Sequence, residues 1–346
     1  MPRTVAPVTE PQLVEGLQPL RGFVLATAIQ NLFAGGLYDA IAERPGERVA
    51  VLADDLDLGR ERVEALLTFL AHEEVLIRDV DRVELSEKGR RLGALRAWYE
   101  MMIGGYGKTF LEMGDHLPSA SPPVPRDGGL VASGSCGISL HDSLPVVRRL
   151  LAGSDRTYET FLDLGCGSGV YLTELASWYP ELRAVGIEPS AEAVAAARAW
   201  VGSVGMEDRI RIELADAVPF LEEGSVRADL VLLGFVLHEI LGQRGEAGVR
   251  DMLAAVFAAN PEADLVIIDI DSGWQDPVRM QHPLAMAYYN SYFLLHPFTE
   301  QRLERLEYWE NLFETCGIRI VERLATDPEL DSTGFEIGWL LRSNGH

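Results

Sequence analysis

The chain has 346 residues, 47% of them hydrophobic, which is enough apolar material for two domains with separate cores. Its formal net charge of −23 opposes attraction to a polyphosphate, which argues against a nucleic-acid partner and leaves a small metabolite as the expected substrate. Cys136, Cys166 and Cys316 are widely spaced and form no Cys-x-x-Cys pair, so neither a disulfide framework nor a zinc or redox motif is expected. Residues 1–19 lack a basic-then-apolar signal pattern, and no apolar run approaches the roughly 20 residues that span a bilayer; a soluble, cytoplasmic protein with no membrane partner is expected.

In chain order, apolar residues recur at helical spacing over 15–34 (Leu20, Phe23, Val24, Ala28, Leu32) until Gly35-Gly36 stops the helix, and 37–42 begins a second. The stretch 49–56, a turn at 57–59, a helix over 60–72 and two alternating strands around 79–81 together predict a winged helix. Its second helix mixes signs (Arg60, Glu61, Arg62, Glu64), so DNA binding is not expected. The long apolar helix would bury best against a second copy, which predicts a homodimer. Residues 98–150 read as helices separated by a Gly/Pro/Ser-rich linker and lid at 118–137.

From residue 160 strand and helix alternate, with strands expected at 160–164, 183–187, 210–213, 229–233, 264–270, 318–323 and 335–341. The expected fold is therefore an α/β, doubly wound, seven-stranded domain over 155–346, preceded by a mainly helical winged-helix dimerisation domain over 1–97 and a helical linker and lid over 98–154.

The segment Phe161-Leu162-Asp163-Leu164-Gly165-Cys166-Gly167-Ser168-Gly169 is an apolar strand running into three alternate glycines, which lets the backbone approach a nucleotide-type cofactor. A dinucleotide fingerprint needs its third glycine at Val170, so a nicotinamide cofactor is disfavoured. Glu188, 25 positions after Asp163, ends the second strand where a carboxylate can accept both ribose hydroxyls, and Asp216 follows the third strand, placed for the adenine edge. These residues resemble the first three motifs of class I S-adenosylmethionine (SAM) dependent methyltransferases over about 157–343, with Asp163, Gly165, Gly167, Glu188 and Asp216 at the cofactor. The N-terminal half extends the likeness to the dimeric O-methyltransferase-like family. That resemblance also implies that Tyr106, in a glycine-rich segment, closes over the cofactor.

After the fourth strand, Gly234-Phe235-Val236-Leu237-His238-Glu239 brings His238 out at the carboxyl edge of the sheet, where an imidazole can exchange a proton near neutrality. Phe235 is a candidate wall for adenine or substrate. His296, 58 positions on, lies in the run 288–297, which is expected to roof the pocket ahead of a helix capped by Thr299. Two imidazoles and a carboxylate suit a metal with open positions, although no short-range ligand motif joins them. The runs 236–241 and 289–299 resemble those of the metal-dependent 2-oxo acid C-methyltransferases. That likeness implies iron or zinc held by His238, His296 and Glu239, and Arg126 gripping the substrate carboxylate, with Trp98 and Tyr289 at the substrate. It also implies methylation at C3 of a 2-oxo acid through a metal-stabilised enolate, with His238 or Glu239 as base, in the making of β-methyl amino acids or other secondary metabolites. The alternative is a metal-free O-methyltransferase of a phenolic or polyketide hydroxyl with His238 as general base. A regulatory winged-helix protein that binds SAM as an effector is a third possibility, opposed by the acidic balance.

Overall fold

A computed structural model of the chain describes residues 8–345. Part of the 1–19 segment read for a targeting signal, and the outer ends of the 1–97 and 155–346 divisions, lie outside the described residues. The chain divides into two compact units at Gly104/Gly105. Among the described residues no helix is long and apolar enough to cross a membrane.

In the first unit, helices Gln18–Ala34, Leu37–Glu43, Val49–Asp55 and Arg60–His72 surround a core that includes Leu32, Ile41, Leu52, Leu67 and Leu70. They are joined by β1 (Glu47–Arg48), β2 (Leu76–Asp79) and β3 (Arg82–Leu85), an antiparallel sheet in the order β1-β3-β2. The helical spacing of Leu20, Phe23 and Val24 does not serve this core: all three are exposed, as are Leu13 and Leu17 in the preceding helix Glu10–Gly16.

The second unit is built on β4 (Thr160–Leu164), β5 (Arg183–Glu188), β6 (Ile210–Leu214), β7 (Leu230–Gly234), β8 (Asp264–Ile270), β9 (Ile318–Ala325) and β10 (Glu336–Ser343). The order is β6-β5-β4-β7-β8-β10-β9, with β10 antiparallel to both neighbours and the rest of the pairs parallel. All seven expected strands are present, with ends shifted by at most two residues. Side chains alternate across the pleat, so Phe161, Leu230, Leu232 and Ile268 face helices Ser143–Ala152, Val170–Trp178 and Ala191–Ser203. Leu162, Leu164, Val231 and Ile267 face helices Ala217–Glu223, Leu237–Ala259 and Leu306–Thr315. Because both faces are covered, the central strands are continuous apolar runs. The order reverses between β4 and β7, which opens a crevice at their carboxyl ends.

Two local expectations are corrected. Much of the stretch read as a linker is the helix Gly128–Ser139, whose N-cap Asp127 accepts a hydrogen bond from Leu130 N at 3.0 Å. Its small residues let it lie close to the glycine loop: a Cβ added at Gly167 would stand 3.0 Å from Cys136 Sγ. No helix starts at Thr299. The next one begins at Leu306, and Thr299 Oγ1 instead donates to Gln301 Oε1 at 3.0 Å, so the chain between them stays irregular.

Candidate active site

The glycine loop follows β4. Gly165, Gly167 and Gly169 all have left-handed φ (+85°, +53°, +83°), and a Cβ on Gly165 would stand 2.7 Å from Val236 Cγ2, so a side chain there is excluded by strain and by space. Glu188 ends β5 and ties the loop down: its Oε2 accepts from Gly167 N at 3.0 Å and its Oε1 from Ser190 N at 2.9 Å. Asp163 is buried, and neither carboxyl oxygen has a hydrogen-bond partner. Burial, with Glu188 adding to it, pushes its carboxyl well above the usual carboxylate range. A bare glycine cradle beside an orphaned acid fits a cationic nucleoside cofactor such as SAM, whose charge would supply the missing partner. Asp216 precedes helix Ala217–Glu223 without a capping hydrogen bond from its side chain and is exposed, 3.9 Å from Arg244.

The second half of the site follows β7. Phe235 turns the chain with φ +58°, a strained value for a non-glycine residue that costs about 1–3 kcal/mol and is tolerated where surrounding structure enforces it. That turn starts helix Leu237–Ala259 with His238 and Glu239 in its first turn. His238 is buried; its backbone N donates to Asp269 Oδ2 at 3.2 Å, and its Nδ1 lies 2.8 Å from Asp269 Oδ1. A carboxylate only accepts, so Nδ1 carries the proton and Nε2 presents a lone pair. Burial alone would lower the basicity of this imidazole, but Asp269 more than offsets it and holds it above the usual histidine value.

His296 is also buried, with its ring 5.6 Å from that of His238. Its Nδ1 donates to the Tyr292 carbonyl at 2.6 Å, and its Nε2 has no partner. Burial and the neighbouring His238 keep it well below the ordinary histidine range, and therefore neutral. Two imidazoles with Nδ1 engaged, the Nε2 of His296 unpartnered and that of His238 met only by Gln301 Nε2 at 3.4 Å, fit a metal ion, and a carboxylate behind His238 is the usual support for such a ligand. The third expected ligand is turned elsewhere. Glu239 Oε1 accepts from Arg126 and from Gln301 Nε2, both at 2.9 Å, and among the described residues no group of three His, Cys, Asp or Glu is gathered to hold a metal.

Arg126 thus stands beside Glu239, partly buried, paired to it and donating to Tyr106 Oη at 3.1 Å. Tyr106, expected at the cofactor, belongs here to the Arg126 network, donating to Gln301 Oε1 at 3.2 Å. Tyr289 is buried and donates to Asp331 Oδ2 at 2.5 Å. Trp98 lies in the other compact unit. Sequence reasoning missed Asp269 and Gln301. Asp269 was signalled by its place inside the apolar run 265–270 of β8, whereas Gln301, in irregular chain, carried no signal.

The family described as Methyltransferase domain matches residues 161–259, from β4 through the helix that carries His238. The chain is 41% identical over 334 residues to the 2-ketoarginine methyltransferase of Streptomyces arginensis, covering 96% of each protein. It belongs to the SAM-dependent methyltransferases. The fold agrees with solved members: an O-methyltransferase family protein from Burkholderia thailandensis superposes with a TM-score of 0.66 at 16% identity, covering 99% of this chain and 100% of the other. Human N-acetylserotonin methyltransferase, solved in complex with SAM, gives 0.63 at 18% identity, with 99% and 100% covered. As a SAM-dependent methyltransferase acting on a small molecule, the chain presents its cofactor loop and its histidine pair at the adjoining ends of β4 and β7.

Proposed function

We propose that this methyltransferase transfers the SAM methyl group to C3 of a 2-oxo acid. The observation that carries the reading is the facing pair His238 and His296, both buried, with Asp269 fixing the tautomer of the first and the Nε2 of the second without a partner. The 41% identity to a 2-ketoarginine methyltransferase supports the same substrate class.

Asp163, Gly165, Gly167 and Glu188 would seat SAM, which when bound supplies an electrophilic sulfonium methyl. His238 and His296 would hold iron or zinc, with Glu239 joining them once released from Arg126. A bound metal would act there as a Lewis acid toward the keto oxygen. Arg126, freed from Glu239, pairs bidentately with the substrate carboxylate. Glu239, through a carboxylate oxygen not given to the metal, takes the C3 proton; the C3–CH3 bond forms as the S–CH3 bond breaks, and the electron pair stays on sulfur as S-adenosylhomocysteine. The product would be a precursor of a β-methyl amino acid.

The His238–Asp269 dyad also favours a second reading, an O-methyltransferase in which His238 takes a hydroxyl proton. Metal analysis separates the two. Near-stoichiometric iron or zinc, lost in His238→Ala and His296→Ala, supports C-methylation; a metal-free protein whose turnover is indifferent to His296→Ala contradicts it.

We also propose a winged-helix dimerisation domain over 1–97, followed by a helical linker and lid region over 98–154. The exposed apolar row Leu13, Leu17, Leu20, Phe23 and Val24 supports a homodimer, and a monomeric mass in solution would contradict it.

A further inference from the structure

The proposed reaction leaves Gln301 without a role. This residue is buried in irregular chain, five positions after His296. Its backbone is fixed at two points to the helix that carries His238. Arg302 N donates to the His238 carbonyl at 2.9 Å, and Gly242, one turn further along the helix, lets the two segments touch. A Cβ added at Gly242 would run into the Glu300 carbonyl and stand 2.7 Å from Gln301 Cα. The side chain is thereby aimed at the imidazole, with its amide nitrogen 3.4 Å from His238 Nε2.

As a hydrogen bond that contact is too long to be a good one, but it has the spacing of two ligands on one ion. Zinc holds nitrogen and oxygen ligands at about 2.0–2.2 Å, so two of them in tetrahedral array lie about 3.3–3.6 Å apart. A ligating amide must offer its oxygen, which here meets two hydroxyls, Tyr106 at 3.2 Å and Thr299 at 3.0 Å. Both can accept as well as donate. The Tyr106 oxygen already accepts from Arg126, and the Thr299 proton has a second acceptor in the His296 carbonyl at 3.1 Å. The amide can therefore rotate about its last torsion, giving its N–H groups to the hydroxyls and bringing Oε1 to the place that Nε2 holds. Only Glu239 opposes the rotation, because its Oε1 accepts from Gln301 Nε2 at 2.9 Å. A cation between the histidines would draw Glu239 away and remove that opposition.

We infer that Gln301 is a protein ligand of the metal, through Oε1, beside His238 and His296. This rests on the metal-dependent reading and supplies the third donor that the histidine pair lacks. Two imidazoles and an amide are all neutral, so the ion keeps its full charge for the keto oxygen it polarises. The same rotation takes away one of the two donors that hold Glu239 away from the histidines, which couples metal loading to the release of Glu239 from Arg126.

The test is zinc affinity in the substrate-free protein, measured by competition with a chromogenic chelator in the wild type, Gln301→Leu and Gln301→Glu, with SAM titration as the check on folding. Zinc is expected to bind about tenfold or more weakly to Gln301→Leu. Gln301→Glu keeps an oxygen in place but has no N–H to give, so it should hold zinc at least as tightly as the wild type. A crystal structure of the zinc-loaded protein should place Gln301 Oε1 within about 2.2 Å of the ion. Zinc weakened in Gln301→Glu as much as in Gln301→Leu would make Gln301 a donor to Glu239 and overturn the inference. Unchanged affinity in Gln301→Leu, or an ion out of reach of the amide, would overturn it as well, and each of these results leaves the metal-dependent reading standing. A wild type that takes up neither zinc nor iron removes that reading and the inference with it. Should Gln301→Leu fail to bind SAM, the Gln301→Glu affinity and the zinc-loaded structure decide.

Discussion

The two halves of the active site are built by different means. The cofactor half is made of backbone: three left-handed glycines within five residues, held by one carboxylate that ends the neighbouring strand. The reacting half is made of side chains from Tyr106, Arg126, His238, Glu239, Asp269 and Gln301, drawn together across the unit by hydrogen bonds, with His296 joining them through ring contact with His238. A site of the first kind tolerates no change in local conformation. A site of the second kind can be taken apart one role at a time.

The largest effect should come from the backbone half. Gly165→Val places a branched side chain at φ +85° against Val236, adding about 1–3 kcal/mol of strain to a clash. Calorimetry should find SAM binding weakened by about a hundredfold or more, and unaltered binding would break the contrast. Next in size is His296→Ala, which should abolish bound metal and most turnover while SAM affinity stays at the wild-type value. Equal loss of SAM binding would mean that the two halves are not separable.

Asp269→Asn sharpens the second half further. Asp269 acts through His238, so kcat should fall about 10- to 100-fold, with KM for SAM unchanged. The smallest effect concerns stability. Asp142 holds its proton up to about 6 in the folded chain against an ordinary value of 3.8, so the folded state favours the neutral acid. Stability from this group is full at low pH and falls as pH rises through that window. Asp142→Asn should therefore raise the melting temperature at pH 8 and leave it unchanged at pH 3. A variant less stable at both pH values would contradict the assignment.

The same contrast explains what could be read from the sequence. Strand positions, the glycine loop and Glu188 were legible because each depends on neighbours in the chain: apolar runs for doubly covered strands, glycine where φ is positive, an acid at a strand end. His238 was legible as a residue leaving a strand. What it contacts was not, because Asp269 and Gln301 reach it only through tertiary packing. The Arg126–Glu239 pair spans 113 positions, and no local pattern shows that it turns Glu239 away from the histidines. Helix Gly128–Ser139 was hidden by its composition, since the small residues that read as a linker are those a helix needs to lie against the glycine loop.

C-methylation at the histidine pair is tested most directly by the position of the transferred group. The purified enzyme would be given SAM carrying a 13C-labelled methyl together with 2-oxo-5-guanidinopentanoate, and the product read by NMR. The label is predicted on a methyl carbon bonded to C3, coupled to the proton that remains there; a labelled methyl on oxygen would contradict the account and return His238 to the role of a base in O-methylation.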